Sequence, residues 1–183
     1  MNPRGRARGW LPVALGMMLG ALAMLVGLAQ AGRLAPSRPD TVVALGQLLE
    51  TENRRIDLLL DNDDFKGAIA ALEALRTHDW PDRETGGDVA VQLRHDAYGR
   101  LLRLRLDHPD VDPVPGETML AIADEGLGAE YADVDTNPFT ARLVALRGQV
   151  LEGLDRDDDA LTAYEQALEM NRTLLERELA EMP

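Results

Sequence analysis

Residues 144–167 read VALRGQVLEGLDRDDDALTAYEQA, and the fold that we expect for the chain follows from this stretch. Its apolar residues recur with the period of a helix on both sides of an acidic turn at residues 155–159. Gly148 and Ala160 are small enough to let two helices approach closely where they cross. Tyr164 would fill the space beside that crossing, and Ala167 would leave room for a further helix. The stretch therefore predicts two antiparallel helices in tight contact.

The same spacing of small and large residues resembles the tetratricopeptide repeat (TPR), a helical hairpin of 34 residues. It departs from the family pattern at Val144, where a Trp is usual, at Arg147 in place of Leu, and at Arg172, where a Pro often ends the repeat. A partial second copy lies at residues 63–75, with Ala68 at the first Ala position. The resemblance, which is to membrane-anchored or exported bacterial members, implies stacked hairpins whose groove receives a peptide or a partner's helix. A generic six-helix bundle is the alternative.

The rest of the chain beyond residue 40 shows helical periodicity without convincing strand alternation. Prolines and glycines mark the loops, notably at residues 78–87 and 109–115. We therefore expect an all-α domain over residues 41–183. Its six predicted helices lie at about 41–61, 65–75, 88–107, 117–132, 139–154 and 158–181.

The first 31 residues are expected to direct the chain to a membrane. Three arginines before residue 9 precede an uncharged run over residues 9–32, and residues 11–28 are strongly apolar. Such a run is long enough to span the hydrocarbon as an uncleaved helix. A cleaved signal peptide remains open, because residues 29–31 (Ala-Gln-Ala) form a typical cleavage site. Residues 32–40, with Pro36 and Pro39, read as a linker.

Both interpretations place the domain on the same side of the membrane. The arginines stay in the cytoplasm, so everything after residue 32 lies outside it. We expect a single-pass protein of the bacterial cytoplasmic membrane with a periplasm-facing domain, or a periplasmic protein if the segment is cleaved.

Composition argues against several classes of function. The chain has no cysteine, a single serine (Ser37) and a net charge of −13, which disfavours nucleic acid as a partner. The three histidines are isolated, and the aspartate clusters lack the Gly and Glu that an EF-hand loop needs. No phosphate-binding or dinucleotide motif is present. We therefore predict no enzyme activity, metal, cofactor or small-molecule substrate.

The third predicted helix carries the candidate partner-binding residues. Arg94 and Arg105 fall between two apolar edges of this helix, and Tyr98 lies beside Arg94. An unpaired buried charge is costly, so both arginines need carboxylates. They could clamp a partner's C-terminal carboxylate or acidic side chain. The alternatives are internal ion pairs, or arginine heads that reach water.

The last predicted helix is longer than one repeat requires. A stripe of Leu168, Asn171, Leu175 and Leu179 continues past the end of the repeat. This stripe either caps the stack of hairpins or binds a partner.

Together these features predict a protein-binding module outside the cytoplasm. We expect a scaffold or assembly factor for a protein complex of the cell envelope, held at the membrane by its N-terminal helix. The alternative is a permanent accessory subunit of a membrane enzyme complex. An assembly factor leaves the finished complex, whereas a subunit stays in it.

Overall fold

The structure, a computed structural model, describes residues 39–128 and 136–182. Within these residues the chain forms α-helices and no β-strand, so the all-α prediction is confirmed. The helices are α1 (Pro39–Asp61), α2 (Phe65–Arg76), α3 (Arg83–Asp107), α4 (Gly116–Gly126), α5 (Pro138–Glu152) and α6 (Asp157–Glu181).

Local sequence explains where several helices begin. Helix α1 starts at Pro39, inside the predicted linker, because proline is well suited to a first helical turn where its missing N–H is not needed. Asp64 caps α2 by accepting a hydrogen bond from the Gly67 backbone N–H at 2.9 Å. Asn137 caps α5 in the same way and accepts from the Thr140 N–H at 2.9 Å.

Helix α3 begins earlier than expected and contains a break. Asp82 caps a short turn by accepting from the Thr85 N–H at 2.8 Å. Gly87 then adopts φ 64° and ψ −169°, a conformation that favours glycine and interrupts the helix. The long part of α3 consequently starts at Asp88, where the sequence predicted it, and only the turn over residues 83–86 was missed.

Helix α4 ends at Gly126, short of the predicted end at residue 132. A Cβ atom at Gly126 would lie 2.8 Å from Tyr98 Cδ1 and 3.0 Å from Leu143 Cδ2, so only glycine fits between these two buried side chains. Gly126 thereby lets the last turn of α4 contact α3 and α5. Residues 129–135 lie outside the described part of the chain.

Helix α6 begins with three acids, residues 157–159, in its first turn, where they complement the helix dipole. No side-chain hydrogen bond caps this helix. Asp159 is engaged by Arg156 at 2.7 Å instead.

The helices pack as a series of neighbours. Each helix contacts the next one in sequence, and α1 also contacts α3, which in turn contacts α5. A single core of mostly Leu, Ile, Val and Ala side chains runs through these contacts. Ile56, Leu72, Leu101 and Leu143 represent four helices in it, each at most 2 % exposed.

The predicted N-terminal membrane or signal helix over residues 1–31 lies outside the described residues. Among residues 39–128 and 136–182, none of the helices combines the length and apolar character that crossing a membrane requires.

Candidate functional site

Arg94 lies on α3 and directs its guanidinium at the end of α4. Only 7 % of the residue is exposed. Its Nη1 donates to the Gly126 carbonyl at 3.0 Å, and its Nη2 donates to the Glu125 carbonyl at 3.2 Å. These carbonyls have no partner within their own helix, and a cation favours the negative end of the helix dipole. Arg94 therefore stabilises the C-terminus of α4.

Tyr98 joins this arrangement one helical turn later. Its hydroxyl accepts from Arg94 Nη2 at 3.0 Å and donates to Glu125 Oε1 at 2.7 Å. The Arg94 guanidinium carbon lies 4.6 Å from the centre of the Tyr98 ring, within range of a cation–π contact. Burial and the bond to Glu125 raise the pKa of Tyr98 above its ordinary value, so the hydroxyl stays a donor.

Arg105 is paired further along α3. Its Nη2 lies 2.8 Å from Glu73 Oε1 and 3.2 Å from Asp112 Oδ2. Arg76 connects this pair to the first cluster, at 2.7 Å from Glu73 Oε2 and 2.6 Å from Glu125 Oε2. The hydrogen bond to Glu73 is the main reason why the pKa of Arg76 is raised. A continuous polar network thus joins α2, α3, α4 and the loop after α3.

Both arginines bond to groups of this chain in the structure, and Arg105 forms the internal ion pairs that were one of the alternatives. Arg94 bonds backbone carbonyls and a tyrosine, whereas Arg105 bonds carboxylates. Sequence reasoning found the buried arginines from their place on the helix. It could not choose Glu73 and Asp112 as the partners of Arg105 among 32 acidic residues.

A second polar cluster joins α3 to the start of α5, and it was not predicted from the sequence. His95 is 1 % exposed, and its Nδ1 lies 2.6 Å from Thr140 Oγ1. Asn137 Nδ2 donates to the same hydroxyl at 2.8 Å. Burial, assisted by the neighbouring Arg94, lowers the pKa of His95 to about 4, so the ring is neutral at pH 7. The only sequence signal was the helix start at Asn137-Pro138.

The residues predicted to pack the repeat meet between α5 and α6. A Cβ atom at Gly148 would lie 2.8 Å from Tyr164 Cε1, so the absence of a side chain lets the tyrosine ring lie on the helix. The Tyr164 hydroxyl donates to Glu152 Oε2 at 2.7 Å. Ala160 and Ala167 are buried on the inner side of α6. Ala68, from the partial second copy, is fully buried on α2.

The outer side of α6 carries an exposed row of large apolar residues, which we call the leucine stripe. Its members are 50–60 % exposed. At 100° per residue they fall within an arc of about 40°. The stripe consists of Leu161, Leu168, Leu175 and Leu179.

A row of exposed acids runs beside the leucine stripe, on the edge away from α5. On the same helical projection it lies about 40–80° from Leu161. The row consists of Asp158, Glu165, Glu169 and Glu176. Arg172, within 3.7 Å of Glu169, lies between the row and the leucine stripe, about 20° from Leu161 on this projection. The outer side of α6 is therefore apolar along its middle and negatively charged along one edge.

In the two described stretches, no group of three or more His, Asp or Glu side chains is placed to hold a metal ion. Comparison of the chain with family models, with curated protein sequences and with solved structures gives no match.

Proposed function

We propose that the chain is an extracytoplasmic protein-binding module built of TPR-like hairpins, and that it serves as a scaffold or assembly factor for a complex of the cell envelope. The observation that carries this proposal is the order of helix contacts. Every helix packs on its sequence neighbour, and the first helices of successive hairpins, α1, α3 and α5, pack on each other. Repeat proteins that recognise protein segments are built from such nearest-neighbour contacts.

The last hairpin supports the same proposal in atomic detail. Gly148 admits the Tyr164 ring, and Ala160 and Ala167 are buried where the TPR pattern has small residues. The polar network around Arg94 and Arg105 fits a structural role in this scheme. It fixes α2, α3 and α4 relative to each other, because a buried charge tolerates few alternative arrangements. Recognition would then use surfaces other than these arginines.

The location that we propose rests on the sequence of residues 1–31. Its basic start and long apolar run favour a tether in the cytoplasmic membrane, with the acidic domain on the far side. Mass measurement of the N-terminus of the mature protein distinguishes a retained anchor from a cleaved signal peptide.

The test of the function is crosslinking in intact cells. A photoreactive amino acid is introduced into the full chain at exposed positions on different helices, such as Val43 on α1, Glu117 on α4 and Leu168 on α6. We expect a discrete adduct with an envelope protein from one face and not from the others. Adducts from no position, or equal unselective labelling from all of them, would argue against a binding module.

Purification in mild detergent separates the two roles left open. An assembly factor is recovered in substoichiometric amounts with its partner, whereas a permanent subunit is recovered in a fixed ratio to an active complex.

A further inference from the structure

We propose that the leucine stripe of α6 is the docking surface of the module and that its occupant is a basic amphipathic helix of a partner protein. The inference rests on the proposed function and deepens it by naming the surface and the chemistry of the partner. It depends on three observations: the exposure of the stripe, its spacing, and the charge along its edge.

The stripe is too exposed to serve only as a cap for the hairpin stack. Leu175 is 60 % exposed and Leu179 is 53 % exposed, although the cores of neighbouring hairpins bury such side chains almost completely. The helix already contacts α5 through a different side, where Ala160, Ala163 and Ala167 are buried. The leucines therefore form a second apolar face, adjacent to the first, and a long apolar face on a soluble domain marks an interaction surface.

The spacing of the stripe fits a helix as its occupant. Leu161, Leu168 and Leu175 recur every seven residues, the period at which two helices keep facing each other as they wind together. From Leu161 to Leu179 the stripe extends about 27 Å along α6, at 1.5 Å per residue. An occupant helix of five turns would cover it. A peptide in extended conformation would place its side chains at a spacing that the leucines do not match.

The charges beside the stripe select a basic partner. Helix α6 carries eight acidic residues and two arginines, and four of the acids form the row along the outer edge. In paired helices, residues that flank the apolar seam meet across it, and opposite charges there determine which helices pair. A partner with Lys or Arg at those flanking positions would face Asp158 and Glu165 directly. Glu169 and Glu176 lie further from the seam on the same side. A second copy of α6 would bring acids against acids, and an anionic membrane surface would be repelled.

Binding of two matched synthetic helices tests the proposal. Both have Leu at positions a and d of four heptads; one has Lys at positions e and g, and the other has Glu there. The full chain is held in nanodiscs of neutral phospholipid, empty nanodiscs serve as the blank, and affinity is measured by fluorescence anisotropy. We expect the Lys helix to bind at least about tenfold more tightly than the Glu helix at low salt, and the difference to shrink as salt rises.

Substitutions in the protein locate the surface. The pair Leu168→Gln and Leu175→Gln should weaken binding of the Lys helix at least about tenfold. The matched control is Val43→Gln with Leu58→Gln on α1, where the two side chains are 59 % and 58 % exposed, and it should leave binding unchanged. All four side chains are exposed, so far-UV circular dichroism should show both variants folded.

A second set of variants isolates the charges. Replacing Glu165, Glu169 and Glu176 by Gln should remove most of the preference for the Lys helix. The control is the same neutralisation at exposed acids elsewhere (Glu50→Gln, Glu84→Gln and Asp110→Asn), which should keep the preference.

Three outcomes would overturn the inference. They are equal binding of the Glu helix, equal loss of binding in the α1 control pair, and self-association of the chain that the Leu168 and Leu175 substitutions abolish.

Crosslinking distinguishes failure of this inference from failure of the proposed function. A discrete partner captured from another face, together with a stripe that binds neither helix, leaves a binding module with a different docking surface. A chain that yields no adduct from any face contradicts the module itself.

Discussion

Replacement of Gly148 by alanine tests the close contact of α5 and α6 on which the proposed hairpin depends. Two effects oppose each other in this substitution. Alanine favours a helix over glycine by about 1 kcal/mol. The new Cβ atom, however, would lie 2.8–3.2 Å from three carbons of the Tyr164 ring, which must move. Overpacking of this kind costs about 1–3 kcal/mol, so we expect a net loss of stability of about 1 kcal/mol.

The test is a double-mutant cycle of Gly148→Ala with Tyr164→Ala. The free energy of unfolding of each full-length variant is measured by urea unfolding, monitored by circular dichroism. Without the tyrosine ring, Gly148→Ala should stabilise the protein by about 1 kcal/mol, because only the helix preference remains. The coupling between the two sites is then about 2 kcal/mol, well above the scatter for independent sites. Gly46→Ala in α1 is the control. Nothing lies within 4 Å of a Cβ atom there, and alanine should stabilise by about 1 kcal/mol.

One outcome would contradict the close contact of α5 and α6 at Gly148. If Gly148→Ala stabilises the chain as much as Gly46→Ala does, with or without Tyr164, then α5 and α6 do not meet closely at that glycine. The TPR-like interpretation of the last hairpin would lose its main support.

Substitutions at three further positions test two buried polar groups and one helix cap. Arg94→Met should destabilise the chain by about 2 kcal/mol in urea unfolding, because it leaves the buried Gly126 carbonyl without this donor and removes the bond to Tyr98. The neutral His95, with a pKa of about 4, binds fewer protons when folded than when unfolded. Stability should therefore fall as pH drops from about 6.5 to 4, and His95→Gln should show less of that fall in melts at several pH values. Asp64→Ala should cost about 1 kcal/mol by removing the cap of α2, and Asp64→Asn should restore most of it.

The helices that the sequence predicted best are those whose signals are local. Helical periodicity located the six helices, and Asp64 and Asn137-Pro138 mark starts that depend on atoms two or three residues away. The end of α4 depends instead on contacts far apart in sequence. Gly126 meets Tyr98 and Leu143, which no pattern near residue 126 reveals. For the same reason the prediction extended this helix to residue 132.

The sequence also could not predict which groups bond the buried charged side chains, for a related reason. The place of Arg94 on its helix face indicated a need for compensation, but two of its acceptors lie 31 and 32 residues away, and these two are backbone carbonyls. Every residue supplies a carbonyl, so no residue type marks these acceptors. The pairing of His95 with Thr140 across 45 residues has the same character. Helical periodicity was enough to infer that a side chain is buried. Its hydrogen-bond partner could be identified only from the way the helices pack in the structure.

The division of charge between the inside and the outside of the domain restricts what a partner can be. The guanidinium groups of Arg76, Arg94 and Arg105 lie at the contacts between helices, where they bond acids, carbonyls and a tyrosine. Cations used in this way add little positive potential to the surface, while the acids along α6 remain exposed. A partner that approached with acidic flanks would meet repulsion, which slows association and weakens the complex. For the proposed partner helix, affinity at this face would therefore come from apolar burial against the leucines combined with basic flanking residues, and the matched Lys and Glu helices separate these two contributions.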